Sequence, residues 1–220
     1  MAYDAVVLDN DGVLVELTDR ATIVDALDRT YREFGVEPTA TDRDALWVGT
    51  SPERVRERCA HHGLDPERVW TTRDRTVSAA ERGAIERGAK GTYADVEALA
   101  DLGVPLGVAS NNVDRTVSFV VNLLDTPVGT VRARAPELSS LRRRKPAPHL
   151  VERACADLGV EPAAALFVGD SASDVIAARR AGADAALLAR PGHDPVDETD
   201  LGTPPTHRLS TLAALPSLVG

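Results

Sequence analysis

Four short apolar runs punctuate the chain: "AVVLDN" (5–10), "PLGVASN" (105–111), "AALFVGD" (164–170) and "DAALLAR" (184–190). Their length fits buried strands, and the stretches between them carry apolar residues at helical spacing. Alternation of strand and helix predicts an α/β fold with a parallel sheet covered on both faces. In such sheets ligands sit beyond the carboxyl ends of the strands, near the point where strand order reverses. Three of the four runs end in polar residues suited to chemistry: Asp9 to Asp11, Ser110 to Asn112, and Asp170.

Residues 16–88 follow a different pattern, with helix signals and no convincing strand. Ile23, Leu27, Tyr31 and Phe34 recur at helical spacing before Gly35, a natural stop. In "SPERVRERCAHHG", Ser51 is the expected N-cap, Pro52 the first helical residue and Gly63 the end; "DPERVWTTRDRTVSAAERG" repeats that logic with Asp65 and Pro66. The pattern predicts an all-helical insertion at 16–88 and a core in two pieces, 1–15 and 89–220. Near the C-terminus, "RPGHDPVDETDLGTPP" (190–205) reads as a surface loop, followed by a short strand and a closing helix capped by Ser210.

Composition narrows the partners. A net charge of −9 and a pI near 5.1 argue against nucleic acid or an anionic membrane surface, because the long-range field repels both. No apolar run approaches the roughly 20 residues of a membrane span, and "MAYDAVVLDN" lacks a signal-peptide layout. A cytoplasmic location follows as the expectation, with Cys59 and Cys155 as buried thiols, since neither lies in a metal-binding or redox pattern. Oligomeric state stays open between monomer and homodimer.

The chemistry concentrates at the strand ends. Asp9 and Asp11 project to the same side of an extended chain, where at roughly 4 Å two carboxylates repel by about 4 kcal/mol in a surface-like dielectric. Gly12 then lets the chain turn. Such oxygens suit a hard divalent cation, and Mg²⁺ is commonly held by one or two carboxylates plus waters and phosphate oxygens. Asp170 and Asp174 supply further carboxylates if the sheet brings them near. Lys145, one of only two lysines, stands in the loop before a Pro-opened helix, where its ammonium would restrain Asp9 and hold a phosphate oxygen. Ser110 and Asn111 precede the next helix and offer a hydroxyl and a backbone N–H to an anion.

The ordered set "VVLDNDGVL", "GVASNN", "KPAP" and "GDSASD" resembles the four motifs of the haloacid dehalogenase superfamily. The branch it resembles is that of phosphatases such as the phosphoglycolate phosphatases, with a helical cap inserted after the first motif. The resemblance spans about residues 5 to 190 and implies a Rossmann-like three-layer α/β/α core. It implies Asp9 as nucleophile through an aspartyl-phosphate, Asp11 as general acid and base with its backbone carbonyl on the metal, and Ser110, Asn111 and Lys145 as phosphate-binding residues. It further implies Mg²⁺ held by Asp9, Asp11 and Asp170, with Asp174 as a ligand or as the group that orients a metal-bound water. The implied function is hydrolysis of a phosphomonoester on a small metabolite, with the cap choosing the substrate. Hydrolytic dehalogenases of the superfamily lack the second aspartate, so Asp11 disfavours dehalogenation. Asn10 departs from the branch, which has a large apolar residue there.

Two other readings remain at this stage. A phosphomutase would pass the phosphoryl group to a sugar hydroxyl, and a regulatory protein would bind phosphate without turnover. Arg54 and Arg58, four residues apart on one helix face, together with His61, are candidates for a specificity contact in the cap. Trp47 and Trp70 are expected to pack the cap. His149, His193 and His207 show no partner pattern and are read as structural.

Overall fold

A computed structural model describes residues 3–219. In chain order its main elements are β1 (Ala5–Leu8), α1 (Arg20–Arg32), α2 (Ala40–Leu46), α3 (Pro52–His61), α4 (Pro66–Glu86), β2 (Leu106–Val113), α5 (Asp114–Val121), β3 (Thr130–Arg134), α6 (His149–Leu158), β4 (Ala165–Gly169), α7 (Ala172–Ala181), β5 (Asp184–Leu188) and β6 (His207–Leu209). The chain divides into two compact units. One comprises Met1–Leu17, Gly91–Ala133 and Arg143–Gly220; the other comprises Thr18–Lys90 and Arg134–Arg142.

The first unit carries a six-stranded sheet in the order β3-β2-β1-β4-β5-β6, with β1 parallel to β2 and β4, β4 to β5, and β5 to β6. This is the α/β parallel-sheet class that the apolar runs predict. All four residues of β1 are buried, as expected for a central strand covered on both faces. Val7 and Phe167 pack there with Val151 of α6 and Val175 of α7. Strand order reverses across β1 and β4, and the register pairs Leu8 with both Val108 and Val168. Asp9 therefore emerges level with Ala109 of β2 and with Gly169 at the end of β4, at the position where such sheets bind ligands. Residues 14–16 and 91–93 run antiparallel to each other, with Tyr93 N–H on Leu14 O at 3.1 Å and Glu16 N–H on Gly91 O at 2.9 Å.

The second unit is helical. Asp19, Thr39, Ser51 and Asp65 each accept a backbone N–H from the first turn of α1, α2, α3 and α4, satisfying donors that a helix start leaves free. Its core gathers Leu27, Tyr31, Leu46, Val55, Cys59 and Trp70, the packing role expected of Trp70. The guanidinium groups of Arg73 and Arg134 each lie 5.1 Å from the Trp70 ring. Asp74, almost fully buried, accepts from Arg134 at 2.6 and 2.8 Å and from Arg73 at 2.9 Å. With Leu138 and Leu141 also in this core, residues 134–142 group with the helices and not with the piece 89–220 in which the sequence pattern places them.

Other elements differ from expectation. Strand β3 and helix α2 are additions. The final helical segment begins after Thr211, whose hydroxyl accepts from Ala213 N–H, so Thr211 and not Ser210 is the cap. Among the described residues no helix is long and apolar enough to cross a membrane. Both cysteines are buried.

Candidate active site

The turn after β1 is built on one carbonyl. Asn10 O accepts the N–H groups of Val13, Leu14 and Val15 at 2.9 to 3.4 Å, and Gly12 N–H meets Val15 O at 2.8 Å. Gly12 has φ +77°, and a Cβ there would come within 1.8 Å of Asp170 Oδ2. Only glycine satisfies both the left-handed backbone and the close carboxylate. A similar approach occurs at Gly169, where a Cβ would sit 2.2 Å from Asp174 Cβ. These two glycines let the ends of β1 and β4 and the start of α7 bring their carboxylates together.

Lys145 is the charge that compensates them. Its side chain is 1% exposed, and its Nζ lies 2.7 Å from Asp9 Oδ1 and 2.7 Å from Asp174 Oδ1. Burial opposes the ammonium charge, but Asp174 and Asp9 together hold its pKa above the ordinary lysine value. Asp174 is committed at both oxygens, since Oδ2 accepts from Ser171 N–H at 3.0 Å and Ser171 Oγ–H at 2.6 Å. Its carboxylate thus caps α7 and fixes Lys145. Burial pushes Asp9 up to about 7 against the pull of Lys145. Asp170, raised first by burial and then by Asp9 and Asp174, reaches about 8.

One oxygen from each of Asp9, Asp170 and Asp174 lies within 4.8 Å of the others. An all-carboxylate set is the donor chemistry that hard divalent cations take, and the raised pKa values of Asp9 and Asp170 are the mark of carboxylates both buried and crowded. The residues present therefore fit a divalent cation. The Asp11 carboxylate stands outside this trio and accepts from Asn112 Nδ2 at 2.9 Å. Asn112 Oδ1 accepts from Val113 N–H at 2.8 Å, so the amide orientation is fixed with its NH₂ toward Asp11.

The phosphate ligands expected from the motifs divide. Ser110 is buried within β2, three residues before its end, and its Oγ accepts from Asn112 N–H at 3.2 Å. The Asn111 side chain points elsewhere, its Oδ1 accepting from Lys145 N–H at 2.7 Å and its Nδ2 donating to Lys145 O at 3.0 Å. It braces the backbone of the lysine loop, and any contact of Asn111 with an anion is left to its main chain. Asn112, absent from the expected set, is the residue that touches Asp11. The alternation of side chains along a strand separates the two asparagines, but sequence alone does not say which one meets the carboxylate.

In the helical unit, Arg54, Arg58 and His61 come together around a cavity of about 420 Å³ that Thr41, Ala45 and Glu57 also line. Arg58 Nε donates to the buried Asp42 at 2.5 Å, and His62 Nε2 meets the same oxygen at 2.6 Å. Arg58 is thereby held in place and largely neutralised.

Comparison with known proteins places these features. A family model described as "Hydrolase: haloacid dehalogenase-like hydrolase" matches residues 3–182. The chain is 26% identical over 191 residues to pyrophosphatase PpaX of Anoxybacillus flavithermus, covering 86% of this chain and 85% of that one. It is 29% identical over 190 residues to phosphoglycolate phosphatase 1 of Pseudomonas aeruginosa, covering 83% and 68% respectively. The crystal structure of CbbY from Rhodobacter sphaeroides in complex with phosphate superposes with a TM-score of 0.69 at 20% identity, covering 97% of this chain and 96% of that one.

Proposed function

Because the chain belongs to the haloacid dehalogenase-like hydrolase family, we propose that it is a Mg²⁺-dependent phosphatase. Its substrate would be a small metabolite phosphomonoester, cleaved through an aspartyl-phosphate on Asp9. The observation that carries this reading is the buried ammonium of Lys145, 2.7 Å from both Asp9 and Asp174, beside a third carboxylate at the end of β4.

Asp9 Oδ1 faces Lys145, whose charge favours the ionised carboxylate against the effect of burial, and the other Asp9 oxygen is left to attack phosphorus. The bond to the leaving oxygen breaks in line, and Asp11 delivers the proton that this oxygen takes. Water then attacks the phosphorus of the aspartyl-phosphate, with Asp11 accepting the water's proton, and Asp9 is regenerated. Lys145 and the Ser110 hydroxyl hold the non-bridging oxygens as charge shifts across them. Asp9, Asp170 and the Asp11 carbonyl would hold Mg²⁺, with Asp174, already engaged by Lys145 and Ser171, as a further ligand or as the group that orients a metal-bound water. When bound, that ion supplies positive charge beside the transferring phosphoryl group. The similarity to phosphoglycolate phosphatase 1 and to PpaX makes 2-phosphoglycolate and pyrophosphate the first compounds to try.

A panel of phosphorylated metabolites, incubated with wild-type protein, Asp9→Asn and Mg²⁺, tests the proposal. Phosphate release by the wild type alone, lost on chelation, supports it. No turnover of any phosphoester by the wild type overturns it, and conversion of a sugar phosphate to its isomer replaces it with a mutase.

A further inference from the structure

We propose that Tyr93 and His193 form a positioning pair that fixes the Asp170 carboxylate for a divalent cation, an inference that rests on reading Asp9, Asp170 and Asp174 as the cation site. His193 lies in the loop after β5, in a stretch whose composition suggests only a surface connection. The anchor of the pair is Arg190, 9% exposed. Arg190 Nε donates to Gly12 O at 3.0 Å and Nη2 donates to Val13 O at 2.7 Å, while Nη1 and Nη2 each reach the Asp95 carboxylate at 3.0 Å. Asp95 also accepts from Thr211 Oγ–H and Leu212 N–H, both at 2.8 Å. One guanidinium therefore ties the turn that carries Asp11 and Gly12 to two other segments of the first unit.

The same guanidinium lies 3.6 Å from the centre of the Tyr93 ring, a cation–π contact that holds the phenol. Tyr93 Oη is 2.9 Å from His193 Nε2. His193 N–H closes a turn on Arg190 O at 3.2 Å, and its Nδ1 lies 3.6 Å from Asp170 Oδ2. If the phenol donates to Nε2, the neutral imidazole carries its proton on Nδ1, toward the carboxylate. On another side of that oxygen stands Gly12, too close for any Cβ. Asp170 Oδ2 thus has Gly12 on one side and the His193 ring nitrogen 3.6 Å away. A carboxylate beside two others tends to rotate away from them, and a ligand already held in place binds an ion with less reorganisation. No local pattern announces this arrangement, since Tyr93 and His193 are 100 residues apart.

The test is calorimetric titration of Mg²⁺ into the full chain at pH 8.5 without substrate, with the metal-free melting midpoint of each variant measured beside it. His193→Ala is expected to weaken Mg²⁺ binding about tenfold, the usual loss when a partner behind a metal ligand is removed. Tyr93→Phe should weaken it by about threefold, and it serves as the second variant if His193→Ala does not fold. His193→Asn places an amide N–H at the same bond distance from Cβ as Nδ1 and should restore affinity to within about twofold of wild type. Unchanged affinity in His193→Ala, or an Asn variant as weak as the Ala variant, overturns the inference while leaving the cation site standing. A wild type that binds no Mg²⁺ overturns the cation reading itself.

Discussion

Replacing Asp170 with asparagine should make the metal-free protein more stable at alkaline pH, because the native state holds this carboxyl at an energetic cost. Burial, then Asp9 and Asp174, lift it from 3.8 to about 8. The native pKa exceeds the unfolded one, so between about pH 4 and pH 8 the native state binds more protons than the unfolded chain. Stability must then fall as pH rises through that window. At 1.36 kcal/mol per pH unit, the rise from 3.8 to about 8 sets a ceiling of about 6 kcal/mol, which water entry and side-chain rotation reduce. A gain of about 2 kcal/mol for Asp170→Asn at pH 8.5 is the expectation. For a chain of this size that is about 4–8 °C in melting midpoint. The assay is thermal unfolding followed by circular dichroism in EDTA from pH 4 to pH 9. The variant's advantage should vanish near pH 4, where the carboxyl is protonated in both states. Adding Mg²⁺ should reverse the order, since an ion at 100 times its Kd stabilises only the protein that binds it, by about 2.7 kcal/mol. An Asp170→Asn protein no more stable than wild type at pH 8.5, or an advantage that does not shrink with acid, would rule out this description of the cluster.

Three other substitutions probe the same region. Gly12→Ala introduces a Cβ 1.8 Å from Asp170 Oδ2 at a backbone of φ +77° and should destabilise the protein by about 2–4 kcal/mol, read by unfolding, while phosphate release disappears. Asn112→Ala removes the donor to Asp11 and should lower kcat by about tenfold to a hundredfold with KM little changed, a fraction of what general acid–base catalysis contributes; steady-state kinetics that move KM alone would assign Asn112 to binding instead. Asn10 is fully buried, and neither of its side-chain polar atoms has a hydrogen-bond partner among the described residues, so Asn10→Leu should raise stability by about 1–2 kcal/mol, visible as a higher melting midpoint. A drop would show that the amide has a partner in solution.

The chemistry at the strand ends was legible because a buried parallel strand announces itself as an apolar run, and the polar residues that follow it have a known place in the fold. Asp9 and Asp170 were readable in this way, and their meeting follows from a register that sets Leu8 beside Val168. Lys145 stood out through the scarcity of lysine and the prolines that follow it. Strand β3 was not legible, because "TVRAR" is only partly buried and its alternation with arginine resembles a surface segment. Helix α2 carries only a faint signal: Thr39 and Asp42 satisfy each other's backbone N–H groups, a spacing visible in sequence but attached to only seven residues. Other features depend on contacts between distant parts of the chain. Arg134 reaches Asp74, and Tyr93 reaches His193. No local pattern encodes either pairing, because the partners are ordinary polar residues until the fold buries them. The division of labour between Asn111 and Asn112 belongs here too, since it is decided by where the lysine loop lies.

Whether Asp9 carries the phosphoryl group decides the proposed chemistry, and peptide mass mapping of acid-quenched protein after brief exposure to p-nitrophenyl phosphate with Mg²⁺ reads it without intermediaries. In an Asp11→Asn background, which slows hydrolysis of the intermediate, one phosphoryl group should appear on the peptide containing Asp9. It should be absent when Asp9 is also replaced by asparagine and when Mg²⁺ is chelated. Phosphate release by the wild type with no modified Asp9 peptide, or with the label on another residue, would show that the reaction runs by another route.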